Sequence, residues 1–367
     1  MYKSIKPGQI WRDTQGRRIQ AHGFSVFYNP ADKQYYWYGE NKEFTKPFGK
    51  IWHWGVRCYT SKDLYNWEDR GLIIPPQPDD LTSPLHPTYC MDRPHIIYCT
   101  KTGKYVAWLK IMGTATSQFM SVLQADEFLG PYKFVSKIYK PLKMDTGDFD
   151  LYSDPETGKG YFIFDRPHFE VVTATLTDDY TGVTGEYSQH YQGVKIPYTR
   201  EAPTHFARNG KHYLFTSGTT GYWPNPSQVA VFDNFHGEYT DLGDPHLNDK
   251  TETSFSSQIS CVLKIPSRDL YIACADRWKP GRFNTWKAKL YRSMVERAMK
   301  SERHKHLTKP DYSEKETVSL PEKERRHYAN TRISDYLWLP IEWQGEKPVI
   351  RWRDEWRLED LLGNNGN

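Results

Sequence analysis

PADKQYYWYGE, residues 30–40, joins a polar turn to a short aromatic run, and the same arrangement returns in KTGKYVAWLK (101–110), PETGKGYFIFD (155–165), RNGKHYLFTSG (208–218) and PSRDLYIACADRW (266–278). Each turn holds residues suited to positive φ or to a side-chain-to-backbone bond, and the residues that follow have strand composition. Successive copies lie about 50 to 70 residues apart, the span of one four-stranded antiparallel sheet with its loops. Five such units predict an all-β fold, a five-bladed β-propeller. A β-sandwich also has short strands punctuated by turns, but its repeats would not be this alike. Residues 1–280 show no sustained 3.6-residue period and no alternation of strands with long helices, which disfavours a parallel α/β fold.

The pattern breaks over residues 287–330. KAKLYRSMVERAMKSERHKH (287–306) sets Leu290, Met294 and Met299 among charges, predicting one amphipathic helix of about four turns, followed by a charged segment with Pro310 and Pro321. We expect a peripheral insertion; an oligomer contact or a cap over a neighbouring site are the alternatives. DYLWLPIEWQG (335–345) and KPVIRWRDEWRL (347–358) then resume strand character, as strands completing a blade would. Residues 1–367 are thus expected to form a single propeller domain.

Hydrophobic residues make up only 38% of the chain and the mean hydropathy is −0.78, yet there are 13 Trp and 26 Tyr. Such an excess suits either surfaces that stack on sugars, bases or peptides, or the core of a β-rich fold. A net charge of +4, with both signs interleaved, gives no footprint for nucleic acid. Cys58, Cys90, Cys99, Cys261 and Cys274 form no CxxC pair or zinc spacing, and their odd number favours reduced thiols. The opening MYKSIKPGQIWRDTQG has no apolar core and no stretch approaches 18 apolar residues, so the expectation is a cytoplasmic protein without a membrane partner. No pattern encodes an oligomeric state, a cofactor or a metal site.

In a propeller the innermost strands meet at the axis, so a site is assembled from several blades. Polar residues recur beside the apolar strands: His22 in QAHGFSV, Glu40 ending YYWYGE, Asp92 and Arg93 in MDRPHIIY, Asp148 in DTGDFDLYSD, Glu201 in REAPTHF and Gln258 in FSSQIS. Two carboxyl groups across a pocket, one protonated and one ionised, are the minimum for cleaving a glycosidic bond. Glu201, set between Arg200 and Ala202-Pro203, is either an acid aimed by a stiff backbone or half of a surface ion pair with Arg200.

These stretches carry a family resemblance. REAPTHF (200–206), YLFTSGTTGYWPNP (213–226), FSSQIS (255–260) and ADRW (275–278) resemble glycoside hydrolase family 43, in the branch containing the exo-β-1,3-galactanases. IQAHGFSVFYN (19–29), YYWYGE (35–40), the run Asp63, Leu64, Asn66, Trp67, DRPHIIY (92–98) and YLWLPI (336–341) fit the same branch over roughly residues 10–345. The resemblance implies a five-bladed propeller, an inverting hydrolase and an oligosaccharide substrate, without a cofactor. It makes Glu201 the general acid and Asp148 the carboxylate that orients it and raises its pKa. The wider family has an aspartate on its first inner strand where this chain has Ala21, His22 and Gly23. In the resembled branch a glutamine matching Gln258 positions the water, through its amide or an imidic acid tautomer, and Glu40 is the alternative base or else a residue that binds sugar hydroxyls. His22 either binds substrate or fills the axial channel, and Arg93 either contacts a hydroxyl or pairs with Asp92. Trp223 and Trp278 are candidates to stack on a sugar face, and Asn225 and Asp276 to bind hydroxyls, with loop packing as the alternative for each. Galactose from β-1,3-linked galacto-oligosaccharides is the expected product; arabinofuranose, galactofuranose or xylose, or a carbohydrate-binding propeller without catalysis, are the alternatives.

Overall fold

The sequence repeat folds as the hairpin between the first and second strands of each of five sheets, in a computed structural model that describes residues 1–114, 117–167, 169–281, 285–299 and 329–362. Each hairpin turn contains a left-handed residue: Lys33 (φ 57°), Gly103 (67°), Gly158 (68°), Asn209 with Gly210 (51° and 76°) and Ser267 (57°). That conformation matches the turn's twist to the flanking strands, which is why Gly and Asn punctuate the repeat.

The first four blades are four-stranded antiparallel sheets in chain order, with inner strands His22–Asn29, Cys90–Cys99, Phe149–Ser153 and Arg200–Arg208. The fifth contains Gln258–Lys264, Tyr271–Arg277, Asp335–Gln344 and Lys347–Arg351, with the short strand His246–Leu247 added in parallel at its outer edge. The resumed strand character after the insertion therefore completes the fifth blade. Each inner strand packs against those of the two neighbouring blades, so the five close a ring.

Closure between the first and fifth blades is an aromatic seam. Trp37 lies 4.6 Å from Tyr336 and 4.8 Å from Trp338, and Trp11 lies 5.1 Å from Trp338. Trp37, Trp67, Trp108 and Trp338 are fully buried, so much of the aromatic excess is core rather than a sugar-facing surface. Backbone bonds between Ile5 and Trp356 (2.9 and 3.0 Å) fasten the two ends of the chain across this seam. All five cysteines are buried free thiols. No helix among the described residues is long and apolar enough to cross a membrane.

The expected helix spans Thr285–Met299, between the second and third strands of the fifth blade. Its orientation differs from the expectation: Leu290 and Met294 are exposed, and Ala288 is the buried contact, with Tyr291 and Arg292 half-buried beside it. Small Ala288 lets the helix approach closely, and Arg292 donates to Glu252 O at 2.8 Å. The segment with Pro310 and Pro321 lies outside the described residues.

The backbone after His22 depends on Gly23, whose φ is +51° and where a Cβ would come within 2.3 Å of Glu40 Oε1 and 3.2 Å of Arg93 N. Gly23→Ala is expected to lower stability by about 2–4 kcal/mol, read as a reduced urea midpoint with an unchanged slope.

Candidate active site

One register rule places the polar residues. At the head of each blade an inner-strand residue faces one on the second strand: His22 opposite Glu40, Asp92 opposite Lys110, Glu201 opposite Ser217 and Gln258 opposite Asp276. In the third blade Asp165 N donates to Asp148 O at 2.9 Å and Gly147 N donates to Asp165 O at 2.8 Å, so two residues face one. The first, second and fourth ladders shift register immediately after these heads and the fifth one residue later, and Gly23, Arg93 and Ala202 there have positive φ (51°, 46° and 53°). Bulges of this kind re-aim side chains toward a site. Ala202-Pro203 is thus the bulge that points Glu201 inward.

Glu201, Asp148, Arg93 and Gln258 come together. Asp148 accepts from Lys110 Nζ at 2.8 Å and from Arg93 Nε at 2.9 Å. Burial alone would push its carboxyl up, but Arg93 and Lys110 outweigh this and hold it below its ordinary value, so it is ionised. Glu201 experiences the reverse: burial and then the charge of Asp148 push it up to about 8. Arg200 does not pair with Glu201; its guanidinium turns away to Thr216 Oγ1 and O, both at 2.9 Å.

Gln258 is held by four partners. Its Oε1 accepts from Arg93 Nη2 (2.8 Å) and Trp278 Nε1 (3.1 Å), while Nε2 faces Ser217 Oγ (2.9 Å) and Glu201 Oε1 (3.4 Å). A guanidinium and an indole can only donate, so Oε1 must be an acceptor and the ordinary amide is the form stabilised here. An imidic acid, with a hydroxyl at that atom, would point its proton at two donors.

Several sequence candidates occupy other places. Arg93 pairs with Asp148 and not with Asp92, whose partners are Lys42 (3.4 Å) and Lys110 (3.9 Å). Glu40 is 0% exposed, accepts from Arg93 N at 2.7 Å and forms an ion pair with the buried Lys42. No water beside a sugar could reach it, and its chemistry is that of a strut. His22 and Asp276 are also sealed, each 0% exposed: Asp276 accepts from His22 Nδ1 (2.9 Å), Gly23 N (2.8 Å) and Ser260 Oγ (2.8 Å), three of the roughly four bonds a carboxylate can accept. Asn225 spends its amide on Gly218 N, Gly218 O and Thr220 Oγ1, each at 2.7 Å, and so fixes its own loop.

A cleft opens beside Gln258, lined by Tyr222, Trp223, Trp278 and Lys279 among others. Trp278 is half-buried and available as a stacking face, with its N–H on Gln258. The Trp223 ring is already engaged by Lys279 Nζ, 3.6 Å from its centroid, and by the Tyr291 ring at 4.4 Å. The inserted helix therefore stands at the rim of this cleft rather than at a distant edge. Among the described residues no group of three or more His, Cys, Asp or Glu could hold a metal ion.

Lys110, Asp165 and Ser217 were absent from the sequence candidates, although each lies at or next to the end of a repeat copy, where Glu40 ends the first. That shared terminal position was the available signal.

Because folding raises the pKa of Glu201, its contribution to stability is fully present below the unfolded value near 4.5 and is lost as pH rises through about 8. Glu201→Gln removes that loss. The variant should melt with wild type at pH 4 and about 2–4 °C above it at pH 9, in paired thermal scans.

Solved structures share this architecture. A family-43 β-1,3-galactosidase is 26% identical, with a TM-score of 0.76 and alignment over 99% of this chain and 65% of that one. A second one, solved with galactodeoxynojirimycin, is 24% identical with a TM-score of 0.73, over 96% of this chain and 100% of its own. An exo-β-1,3-galactanase from Phanerochaete chrysosporium, solved with β-1,3-galactotriose, is 24% identical with a TM-score of 0.73, over 98% of this chain and 70% of its own. This chain thus spans about two thirds of the length of the first, and no curated protein sequence matches it. The model of glycosyl hydrolases family 43 matches residues 23–279, and together with the propeller and its carboxyl-lined head this makes the chain a member of that family.

Proposed function

We propose that the protein is an exo-acting, inverting hydrolase that releases galactose from β-1,3-linked galacto-oligosaccharides. The observation that carries this reading is the opposed pair: Glu201 raised to about 8 and kept protonated, beside Asp148 kept ionised. The β-1,3-galactosidase and exo-β-1,3-galactanase neighbours support the sugar and the linkage. The modest cleft, with the Trp223–Tyr291 cluster at its rim, supports binding one chain end rather than the middle of a polymer.

In this reading Glu201 gives its proton to the glycosidic oxygen as the bond to C1 breaks. Water adds to C1 from the opposite face, and the proton it sheds restores Glu201 over the cycle. Asp148 acts as a positioning residue, its negative charge keeping the acid loaded. Gln258 positions the water. An oxocarbenium-like transition state places bond cleavage ahead of attack, so a held water needs little help from a base. In the resting site Gln258 Nε2 is 3.4 Å from Glu201, closer than the roughly 6.5–9.5 Å separation of acid and base that admits sugar and water. Substrate must therefore enter by parting this contact.

Glu201→Gln should lower kcat on β-1,3-galactobiose by about 10²–10⁴-fold, and far less on nitrophenyl β-galactoside, whose leaving group needs no proton. Equal losses on both, or turnover only of an arabinofuranoside, would defeat the acid role and the sugar assignment respectively. Wild-type activity should fall as pH rises through about 8, and Asp148→Asn should move that limb to lower pH, because the charge holding the proton on Glu201 is gone. Proton NMR of the first-formed sugar should show α-galactose; early β-galactose excludes inversion.

A further inference from the structure

Five second-strand residues stand opposite the five inner-strand heads, and four have side-chain partners: Glu40 with Arg93 N, Lys110 with Asp148, Ser217 with Gln258, and Asp276 with His22 and Gly23. Asp165 is different. It is 5% exposed, its Oδ1 is sealed and unpartnered, and among the described residues no side chain donates to either carboxyl oxygen, the Asp148 backbone amide being the one group that favours its charged form by a hydrogen bond. Its backbone is nonetheless pinned on both sides by Asp148 O and Gly147 N. The carboxyl rests on Gly147, where a Cβ would come within 2.3 Å of Oδ2, so the glycine makes room for it.

Burial, then Asp148, pushes the Asp165 carboxyl well above its ordinary range, and Lys110 and Glu201 are among its other electrostatic neighbours. A protonated carboxyl offers one O–H donor and one C=O acceptor, a pair that matches a sugar hydroxyl. Buried polar atoms left unpaired in a native fold call for a ligand or a water to complete them.

We infer that Asp165 is a substrate-binding residue whose Oδ2, the carboxyl oxygen that the fold does not seal, hydrogen-bonds a hydroxyl of the sugar held against Glu201. This rests on the galactosidase reading above. It adds a contact from a strand position that is structural in the blades of Glu40 and Asp276.

The test is calorimetric binding of β-1,3-galactobiose, and of its analogues with one hydroxyl removed from the non-reducing ring, to the non-cleaving Glu201→Gln protein with and without a change at Asp165. Asp165→Ala should weaken galactobiose about five- to tenfold, and Asp165→Asn, which keeps shape and a donor–acceptor pair, should restore most of that. One deoxy analogue should bind equally with Asp165 or Ala, identifying the hydroxyl. The same loss for every analogue would show a merely structural residue, and unchanged galactobiose binding would show none; either overturns the inference. If Glu201→Gln binds no galactobiose while retaining its fold, the galactose reading fails and the inference with it.

Discussion

Gly23 N, Arg93 N and His205 N each donate to a carboxylate reaching across from the neighbouring blade: Asp276 Oδ2 at 2.8 Å, Glu40 Oε1 at 2.7 Å and Asp150 Oδ2 at 2.7 Å. A propeller has few covalent ties between sheets, so the relative position of the inner-strand heads must come from contacts of this kind. The remaining borders are closed by the pair His95–Asp150 at 3.0 Å and by Gln258 on Ser217 at 2.9 Å. Where the acceptor is charged such a bond is worth about 1.5–3 kcal/mol, and none can be traded for water once buried. Gly23 and Arg93 lie in bulges that would otherwise leave their amides without ladder partners. The same bonds aim Arg93 and seat the strand that carries Glu201.

This arrangement divides the carboxyl groups by task. Glu40 and Asp276 meet fixed donors and serve the ring. Asp148 meets two cations and stays charged. Glu201 faces a carboxylate and a neutral amide, with its neighbouring arginine turned to Thr216, so its proton is the cheapest charge adjustment open to it. Glu201 and Asp148 thus acquire opposite protonation from their neighbours alone.

The blade count was legible because a turn needing positive φ and an aromatic strand are local features, repeated in each copy. Glu201, Asp148, Arg93 and Gln258 were legible as heads of inner strands, since their sequence positions recur relative to the turns. Which heads face the cleft was not legible. Asp276 and Glu40 look like surface-ready carboxylates in ADRW and YYWYGE, and only their contacts with Gly23 and Arg93, 253 and 53 residues away, make them internal. Trp223 likewise reads as a free stacking ring until Tyr291 of the inserted helix is brought against it. The helix itself followed from its sequence, but its inward face did not, because close approach at Ala288 outweighed the apolar stripe of Leu290 and Met294.

Glu201 holds its proton near neutral pH because it is desolvated beside an ionised Asp148. Carbon-13 NMR titration of the glutamate side-chain carboxyls, assigned by comparison with the Glu201→Gln protein, measures this directly. One resonance should titrate near pH 8 and be missing from the variant. A Glu201 carboxyl titrating at about 4.5, with the solvated glutamates, would contradict it.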